Sequence, residues 1–312
     1  MRMRSRMQGK TIVLGGSQGE HVAVQLAELL GAELGEVEVT RFPDGETYVR
    51  ILADVEGSRV VYVNSLQRGP NETLVETLLT LDALKDLGAR EVHAVVPYMA
   101  YARQDERFKP GEAVSVTTVA KLFKALGLSS IYTVDMHLHR IRDPSVLFGA
   151  SFRNLTGVRE LAKYVKRNHR EILAKSVIVG PDEEAEQWAK VMAEDLGIEY
   201  AVLEKKRLSA TEVKIEAHGA DVKGKVAVIV DDIISTGGTI VEAVKALRQL
   251  GCEGALVACV HPILTGNAYP RLLKLHLLDL VGTDTVLSPI SRVPVAPAIA
   301  EALRADLGFG RS

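Results

Sequence analysis

The chain has 312 residues, with Lys+Arg 38 against Asp+Glu 40, a formal net charge of -2, 47% hydrophobic and 25% charged residues. These values exclude a disordered chain and a surface built to coat nucleic acid or an anionic membrane. At roughly 100–200 residues per domain, two domains are expected. No apolar run approaches the ~18 residues that span a bilayer, and the basic start, Met1–Lys10, is followed by no apolar signal-peptide core. A cytoplasmic protein with no membrane or nucleic-acid partner is therefore expected. Two cysteines, Cys252 and Cys259, make no disulfide framework, and no Cys/His spacing suggests a structural zinc.

Along the chain, Arg41–Ile51 (RFPDGETYVRI) comes first, with a Pro-Asp-Gly turn suited to a hairpin. Asp44 and Glu46 are acceptors for an amino group or a ribose hydroxyl, or simply a solvated turn. Val60–Val63, Glu91–Val96, Ile131–Val134, Ser176–Val179, Val226–Val230 and Ala255–Val260 are apolar without alternation and predict buried strands. Between them lie amphipathic stretches. One runs from a cap at Asn71 to Gly88 with Leu74, Leu78 and Leu81 on one face; another runs from Thr239 to Gly251 with Val241, Val244 and Leu247 on one face. Both end Leu-Gly, a common helix stop. Strands alternating with helices predict an α/β fold with largely parallel sheets flanked by helices.

The halves resemble each other. AELLG at Ala27 recurs as AEDLG at Ala193, Val49-Arg50-Ile51 as Val213-Lys214-Ile215, and ALKDLG at Ala83 as ALRQLG at Ala246. The offsets are 166 (27 to 193), 164 (49 to 213) and 163 (83 to 246). Three matches in order at nearly one offset predict two copies of one domain. The expected division is 7–152, 153–300 and a C-terminal segment 301–312.

Several segments fall just past predicted strands, at the edge where open α/β sheets place ligands. Pro97–Glu112 carries Tyr98, Tyr101, Arg103, Gln104 and Asp105, a mix able to stack on a base and bind phosphates, or to form a charged surface loop. In Thr133–His139, Asp135, His137 and His139 alternate and would share one face of a strand, as ligands or as structural residues. Asp182 opens a helix and is a cap or a ligand. Glu204–Ile215 holds Lys205, Lys206 and Arg207 in an expected mobile loop, and such runs are most often solvated. The most specific segment is Val230–Thr239, VDDIISTGGT. Ser235, Thr236, Gly237, Gly238 and Thr239 form a turn at a helix N-terminus, where free N–H groups and two glycines admit a phosphate. Asp231 and Asp232 stand beside it, placed for sugar hydroxyls or a metal. The matching stretch of the first half, Asn64–Pro70, has neither carboxylate nor the TGGT run, so one sugar-phosphate site per chain is expected.

VDDIISTGGT resembles the 5-phosphoribosyl-diphosphate motif shared by type I phosphoribosyltransferases and ribose-phosphate pyrophosphokinases. The first half selects between them: FPDGE and YARQD resemble the ATP-binding elements of the pyrophosphokinase family. The resemblance covers nearly the whole chain and implies two tandem phosphoribosyltransferase-like domains. It implies transfer of the diphosphoryl group of ATP to ribose 5-phosphate, giving 5-phosphoribosyl diphosphate and AMP. Carried over residue by residue, it implies an ATP site at Phe42, Asp44, Gly45, Glu46, Arg103 and Gln104. It implies a ribose 5-phosphate site at Arg207, Asp231, Asp232 and Ser235–Thr239, catalytic Lys205 and Arg207, and Mg2+ at His137 and Asp182. His139 departs from the commoner pattern, as do Glu183 and Glu184, where glycines are usual. A homo-oligomer, dimer or higher, is implied because the family builds its ATP site between subunits. RFKPGE and HLHRIRDP are similar to archaeal members. A type I phosphoribosyltransferase and a non-catalytic regulatory homologue are the alternatives.

Overall fold

A computed structural model of the chain describes residues 10–138, 140–141, 143–149, 151–207 and 213–308, with backbone alone at 205–207, 213 and 214. It divides into two units. The first ends at Leu155 and takes up the chain again from Val295; the second is Thr156–Pro294.

The first unit begins β1 (Thr11–Gly15), α1 (Glu20–Leu30), β2 (Glu33–Gly35), β3 (Val37–Arg41), β4 (Thr47–Ile51), β5 (Arg59–Val63) and α2 (Pro70–Asp86). It continues β6 (Glu91–Val96), α3 (Ser115–Ala125), β7 (Ser130–Val134), α4 (Ser145–Phe148) and β8 (Phe152–Leu155). The second unit runs α5 (Val158–Asn168), β9 (Ser176–Gly180), α6 (Glu186–Leu196), β10 (Tyr200–Arg207), β11 (Val213–Gly219) and β12 (Val226–Ile233). It ends α7 (Gly238–Gln249), β13 (Gly254–His261), α8 (Ala268–Leu273), β14 (Asp279–Thr283) and β15 (Ser291–Val293). A last helix, α9 (Ala296–Leu307), returns to the first unit.

The two sheets have one plan. The first is ordered β2-β1-β5-β6-β7-β8 and the second β11-β10-β9-β12-β13-β14-β15. Without β11 the orders are identical, with β9 in the place of β1 and β12 in the place of β5. Every pairing is parallel except β10 with β11. The repeated sequences fall on matching elements. AELLG and AEDLG close α1 and α6, whose last turns end at Gly31 (φ 61) and Gly197 (φ 68). ALKDLG and ALRQLG close α2 and α7, with Gly88 at φ 82 and Gly251 at φ 89. Val49–Ile51 ends β4 and Val213–Ile215 opens β11, each in an antiparallel pair. The duplication read from the sequence is thus present in the topology.

The predicted strands form, and both faces of the central ones are covered: β7 and β9 are buried at every position. That burial is why their sequences run apolar without alternation. Helix α2 differs from expectation in two ways. Its cap is Gly69 in the left-handed region (φ 103), because Pro70 takes the first helical position and needs no N–H partner there. Its buried face is Thr73, Glu76, Thr77, Thr80, Leu81 and Leu84, while Leu74 and Leu78 only flank the core. The threonines tolerate burial because each hydroxyl donates back one turn: Thr73 to Gly69 O (3.0 Å), Thr77 to Thr73 O (2.7 Å) and Thr80 to Glu76 O (2.8 Å).

The joins also lie elsewhere than expected. β8 pairs with β7 and completes the first sheet, so the first unit extends to Leu155 rather than 152. Residues 295–300 leave the second unit, because α9 packs on α1 and is held by charged ties. Tyr132 donates its hydroxyl to Asp306 (3.0 Å), Arg153 pairs with Asp306 (3.2 Å), and Arg59 donates to Leu307 O (3.1 Å). The expected start at residue 7 and the end of the segment 301–312 lie outside the described residues. Leu303 on α9 is fully buried. We expect Leu303→Ala to lower unfolding free energy by about 2–5 kcal/mol, and exposed Glu301→Ala to change it by less than about 0.5 kcal/mol. Urea denaturation of the two variants checks this; equal, small effects would mean that α9 is not docked.

Candidate active site

In the second sheet the strand order reverses between β9 and β12, and the loops after these two strands face the same crevice. β12 stays paired to β13 past the end of its apolar run, with Asp231 opposite Cys259 and Ile233 opposite His261. This carries Asp231 and Asp232 to the carboxyl edge as part of a rigid strand. The chain then turns through Ile234–Gly237 into α7. Gly237 is left-handed (φ 74), and a Cβ there would press on Leu272 at 3.3 Å, so any other residue would be strained. A Cβ on Gly238 would meet nothing closer than Thr236 Oγ1 at 3.7 Å.

The loop is fixed from behind, by residues that carry no motif in the sequence. Leu264 N–H donates to Ile234 O (3.0 Å), Thr265 N–H to Ser235 O (2.9 Å), and Arg271 to Thr236 O (3.5 Å). Ser235 and Thr265 share a hydroxyl contact of 3.3 Å. The first intrahelical bond of α7 is from Val241 N–H to Gly237 O. The N–H groups of Gly238, Thr239 and Ile240 therefore have no acceptor among the described residues. They are aligned donors at the positive end of a helix.

Three carboxylates share this edge. Asp231 and Asp232 are buried, and Asp182 follows β9. Burial, then the charges of Asp232 and Asp182, hold the Asp231 carboxyl well above the usual carboxylate range. Asp182 is also raised, first by burial and then by the charges of Glu184 and Asp232, against a bond from Ala185 N–H (3.1 Å) that favours the ionised form. Asp182 thus makes the turn contact expected of a cap and also belongs to the carboxylate group. Cys259 adds no charge: burial, then Asp231 and Asp232, push its thiol up. Carboxylates are hard oxygen donors of the kind that suit Mg2+. Among the described residues no group of three His, Cys, Asp or Glu side chains is arranged to hold a metal alone.

The basic segment differs from the expected loop. Residues 204–207 are strand, antiparallel to β11, with Lys205 opposite Ile215 and Arg207 opposite Val213. β9 ends at Gly180 opposite Val202, so β10 runs five residues further. At about 3.3 Å per residue this carries the ribbon roughly 16 Å beyond the sheet edge that holds Asp182. The side chains of Lys205, Lys206 and Arg207, and residues 208–212, lie outside the described residues. At the root of the ribbon a cavity of about 470 Å³ is lined by Glu183, Glu186, Tyr200, Glu204 and His218. His218 pairs there with Glu204 at 2.7 Å, and Glu183, which replaces a usual glycine, faces this cavity.

In the first unit the predicted residues fall into two places. Phe42, Asp44, Gly45 and Glu46 form the tip of the expected hairpin, a separate two-stranded ribbon of β3 and β4. Phe42 N–H donates to Glu46 O (2.9 Å), Gly45 is left-handed (φ 96), and Asp44 Oδ1 accepts from Glu46 N–H (3.3 Å). Phe42 meets Tyr48 edge-on at 5.6 Å and stays half exposed. Arg103, Gln104 and His137 lie instead at the carboxyl edge of the neighbouring strands β6 and β7. Arg103 is exposed, and Gln104 is held by Glu106 O and Glu112, each at 3.2 Å. Buried Asp105 binds the two loops together, accepting from the N–H groups of Arg140 (2.7 Å) and Ile141 (3.3 Å). The expected alternation of Asp135 and His137 on a strand face does not occur. β7 ends at Val134, and Asp135 turns into positive φ (34), its N–H bound to Leu155 O. His139 lies outside the described residues.

Comparison with known proteins accounts for both halves. Residues 11–127 match the family described as the N-terminal domain of ribose phosphate pyrophosphokinase, and residues 152–275 match the phosphoribosyl transferase domain. The chain is 46% identical to a ribose-phosphate pyrophosphokinase of Methanopyrus kandleri, over 94% of this chain and 98% of that protein. It is 40% identical to ribose-phosphate pyrophosphokinase 1 of Archaeoglobus fulgidus, over 94% and 99%. The crystal structure of a phosphoribosylpyrophosphate synthetase from Mycobacterium smegmatis superposes with a TM-score of 0.85 at 28% identity, covering 96% of this chain and 100% of that one. A phosphate loop alone would leave a phosphoribosyltransferase open. With its first half matched as well, and relatives aligned from end to end, the chain belongs to the ribose-phosphate pyrophosphokinase family.

Proposed function

We propose that the chain transfers the diphosphoryl group of ATP to the anomeric hydroxyl of ribose 5-phosphate, yielding 5-phosphoribosyl diphosphate and AMP. One observation carries the reading at the level of the site: N–H donors of α7 with no acceptor among the described residues share an edge with three carboxylates, of which Asp231 and Asp182 are held above the usual carboxylate range. Donors and carboxylates together suit a ligand with an anionic end and a hydroxylated ring.

The 5-phosphate accepts from the N–H groups of Gly238, Thr239 and Ile240 and from the hydroxyls of Ser235, Thr236 and Thr239. Asp231 and Asp232 accept from the ring hydroxyls and fix the anomeric oxygen. That oxygen attacks the β-phosphorus in line; the bond from the β-phosphorus to the oxygen it shares with the α-phosphorus breaks, and AMP leaves with that oxygen. Arg103 and Gln104 orient the triphosphate, and the base lies against Phe42, Asp44, Gly45 and Glu46. The hairpin reaches it from a second copy of the chain, which makes the enzyme a homo-oligomer. Lys205 and Arg207 donate to the transferred phosphoryl oxygens as charge develops. Asp182 and His137 would each hold Mg2+, which when bound would neutralise charge on the phosphate oxygens. Most of the rate comes from positioning and electrostatics. The enzyme works in the cytoplasm; no helix among the described residues is long and apolar enough to cross a membrane.

AMP release from ATP with and without ribose 5-phosphate tests the reaction. AMP that depends on the sugar phosphate is expected. Consumption of 5-phosphoribosyl diphosphate with a base, or no turnover, would overturn the reading. Gly238→Val leaves the fold room, yet places a side chain where phosphate meets backbone. Its KM for ribose 5-phosphate should rise about 10–100-fold, the loss of one or more charged hydrogen bonds, with KM for ATP unchanged. Lys205→Ala and Arg207→Ala should each lower kcat by about 10²–10³-fold, with smaller changes in KM.

The carboxylates give a stability test. A buried carboxyl with a raised pKa binds its proton more tightly folded than unfolded. Its contribution is therefore full below the unfolded value and is lost as pH rises through the folded one. Without substrates or Mg2+, the protein should lose stability as pH climbs past the ordinary carboxylate range. Asp231→Asn should flatten that slope and raise the melting temperature at pH 7 while abolishing turnover. Thermal melts from pH 4 to 8 would show no difference between the two proteins if Asp231 carried no such burden.

A further inference from the structure

The first sheet has its own strand reversal, between β1 and β5, and its own glycine-rich turn there, Gly15-Gly16-Ser17-Gln18-Gly19, at the start of α1. A turn of this kind, from strand to helix N-terminus, is built to receive an anion. The second unit leaves the matching crevice open. In the first unit it is filled from within. Glu76 is 3% exposed and sends its carboxylate into the turn. Its Oε1 accepts from Ser17 N–H (2.8 Å), Asn64 Nδ2 (3.1 Å) and the Tyr62 hydroxyl (3.3 Å), and its Oε2 accepts from the Ser17 hydroxyl (2.5 Å). Asn64 Oδ1 takes the next N–H of the turn, that of Gln18 (2.9 Å).

Two features mark this as an occupied anion site rather than an ordinary ion pair. Glu76 has no cationic partner among the described residues; donors alone surround its charge, as they would a bound phosphate. The turn is also moulded on it: a Cβ at Gly16 would fall 2.7 Å from Glu76 Oε1 and 2.3 Å from the Tyr62 hydroxyl, and one at Gly19 would fall 2.0 Å from Val63 O. Burial, then the charge of Glu76, hold the Tyr62 hydroxyl firmly protonated, so it stays a donor.

The duplication shows how the group came to this place. α2 has 17 residues and α7 has 12. Aligned on their shared ends, ALKDLG and ALRQLG, α2 is longer at its N-terminus, and Glu76 stands where Thr239 stands in the second unit (76 to 239, the offset of 83 to 246). Thr239 belongs to the phosphate loop. We infer that Glu76 is an internal anion that occupies the glycine-rich turn after β1, the counterpart of the turn after β9 that carries Asp182, and thereby keeps external anions out of the crevice of the first copy. The inference rests on contacts within the first unit and holds whichever sugar phosphate the second unit takes. Beside Glu76 lies a cavity of about 240 Å³ whose wall includes Ser17, Arg41, Arg68 and Thr73. Removing the carboxylate would therefore expose free donors next to two arginines.

Amide hydrogen exchange of the full chain, with inorganic phosphate as the probe, tests this region by region. In the unaltered protein, phosphate should slow exchange at 235–241 and leave 15–20 unchanged. Glu76→Ala should speed exchange at Ser17, and phosphate at about ten times its dissociation constant should slow it again about tenfold, with one more phosphate bound per chain. Glu76→Gln fills the turn without the charge and should show no phosphate response at 15–20. A Glu76→Ala protein that folds only with phosphate present would support the inference. Phosphate protection of 15–20 in the unaltered protein would overturn it. So would a folded Glu76→Ala that gains neither protection nor a second phosphate. Should the variant not fold at all, the unaltered protein decides by the presence or absence of that protection.

Discussion

A parallel sheet whose strand order reverses opens a crevice at its carboxyl edge, and the groups facing that crevice cannot be satisfied by the sheet itself. Helix N-termini deliver N–H donors there, and strand ends deliver whatever side chains follow the apolar run. Something must answer them. In the second unit no such answer comes from the described residues to the N–H groups of Gly238–Ile240, and Asp231, Asp232 and Asp182 stand on the same edge. In the first unit Glu76 and Asn64 answer the same demand from within the chain. One constraint thus yields an open edge in one copy and a filled turn in the other.

The supporting parts follow from this division. Withheld partners cost stability, so the open loop must be held by other means, which the 264–271 segment provides through Leu264, Thr265 and Arg271. The filled turn needs no such scaffold and can accept a longer α2, whose threonines bond to their own helix. The residues expected to meet ATP are placed differently again, on a hairpin tip and on loops tied by Asp105.

Much of this was legible in the sequence because the signals were strong and local. Buried parallel strands read as unbroken apolar runs, the Pro-Asp-Gly turn announced the hairpin, and STGGT after an acidic strand end announced the turn into α7. What stayed hidden depended on distant partners. β10 continues through Lys205–Arg207 because β11 pairs with it, although nothing in a basic run suggests strand. β8 is short and mixed in character, and its place in the first sheet comes from β7. Asp135 leaves the expected alternation because Leu155, from that same β8, captures its N–H. Glu76 lies within a helix whose leucines dominate the pattern, and its role is set by Ser17, fifty-nine positions away. The Asn71 cap failed for a local reason: the proline before it had already started the helix.

The return of α9 gives the chain an unusual order of assembly. Seen from the ribosome, the second unit is an insertion: all of its strands emerge and can pair before the helix that finishes the first unit has been made. The first unit must wait in an incomplete form, with the buried tyrosine of β7 and the apolar side of α1 lacking their cover, until α9 has been made. The second unit is therefore free to mature first, and the first closes last. A lesion or fusion at α9 would thus be felt far from it in the sequence, in the unit that begins with β1.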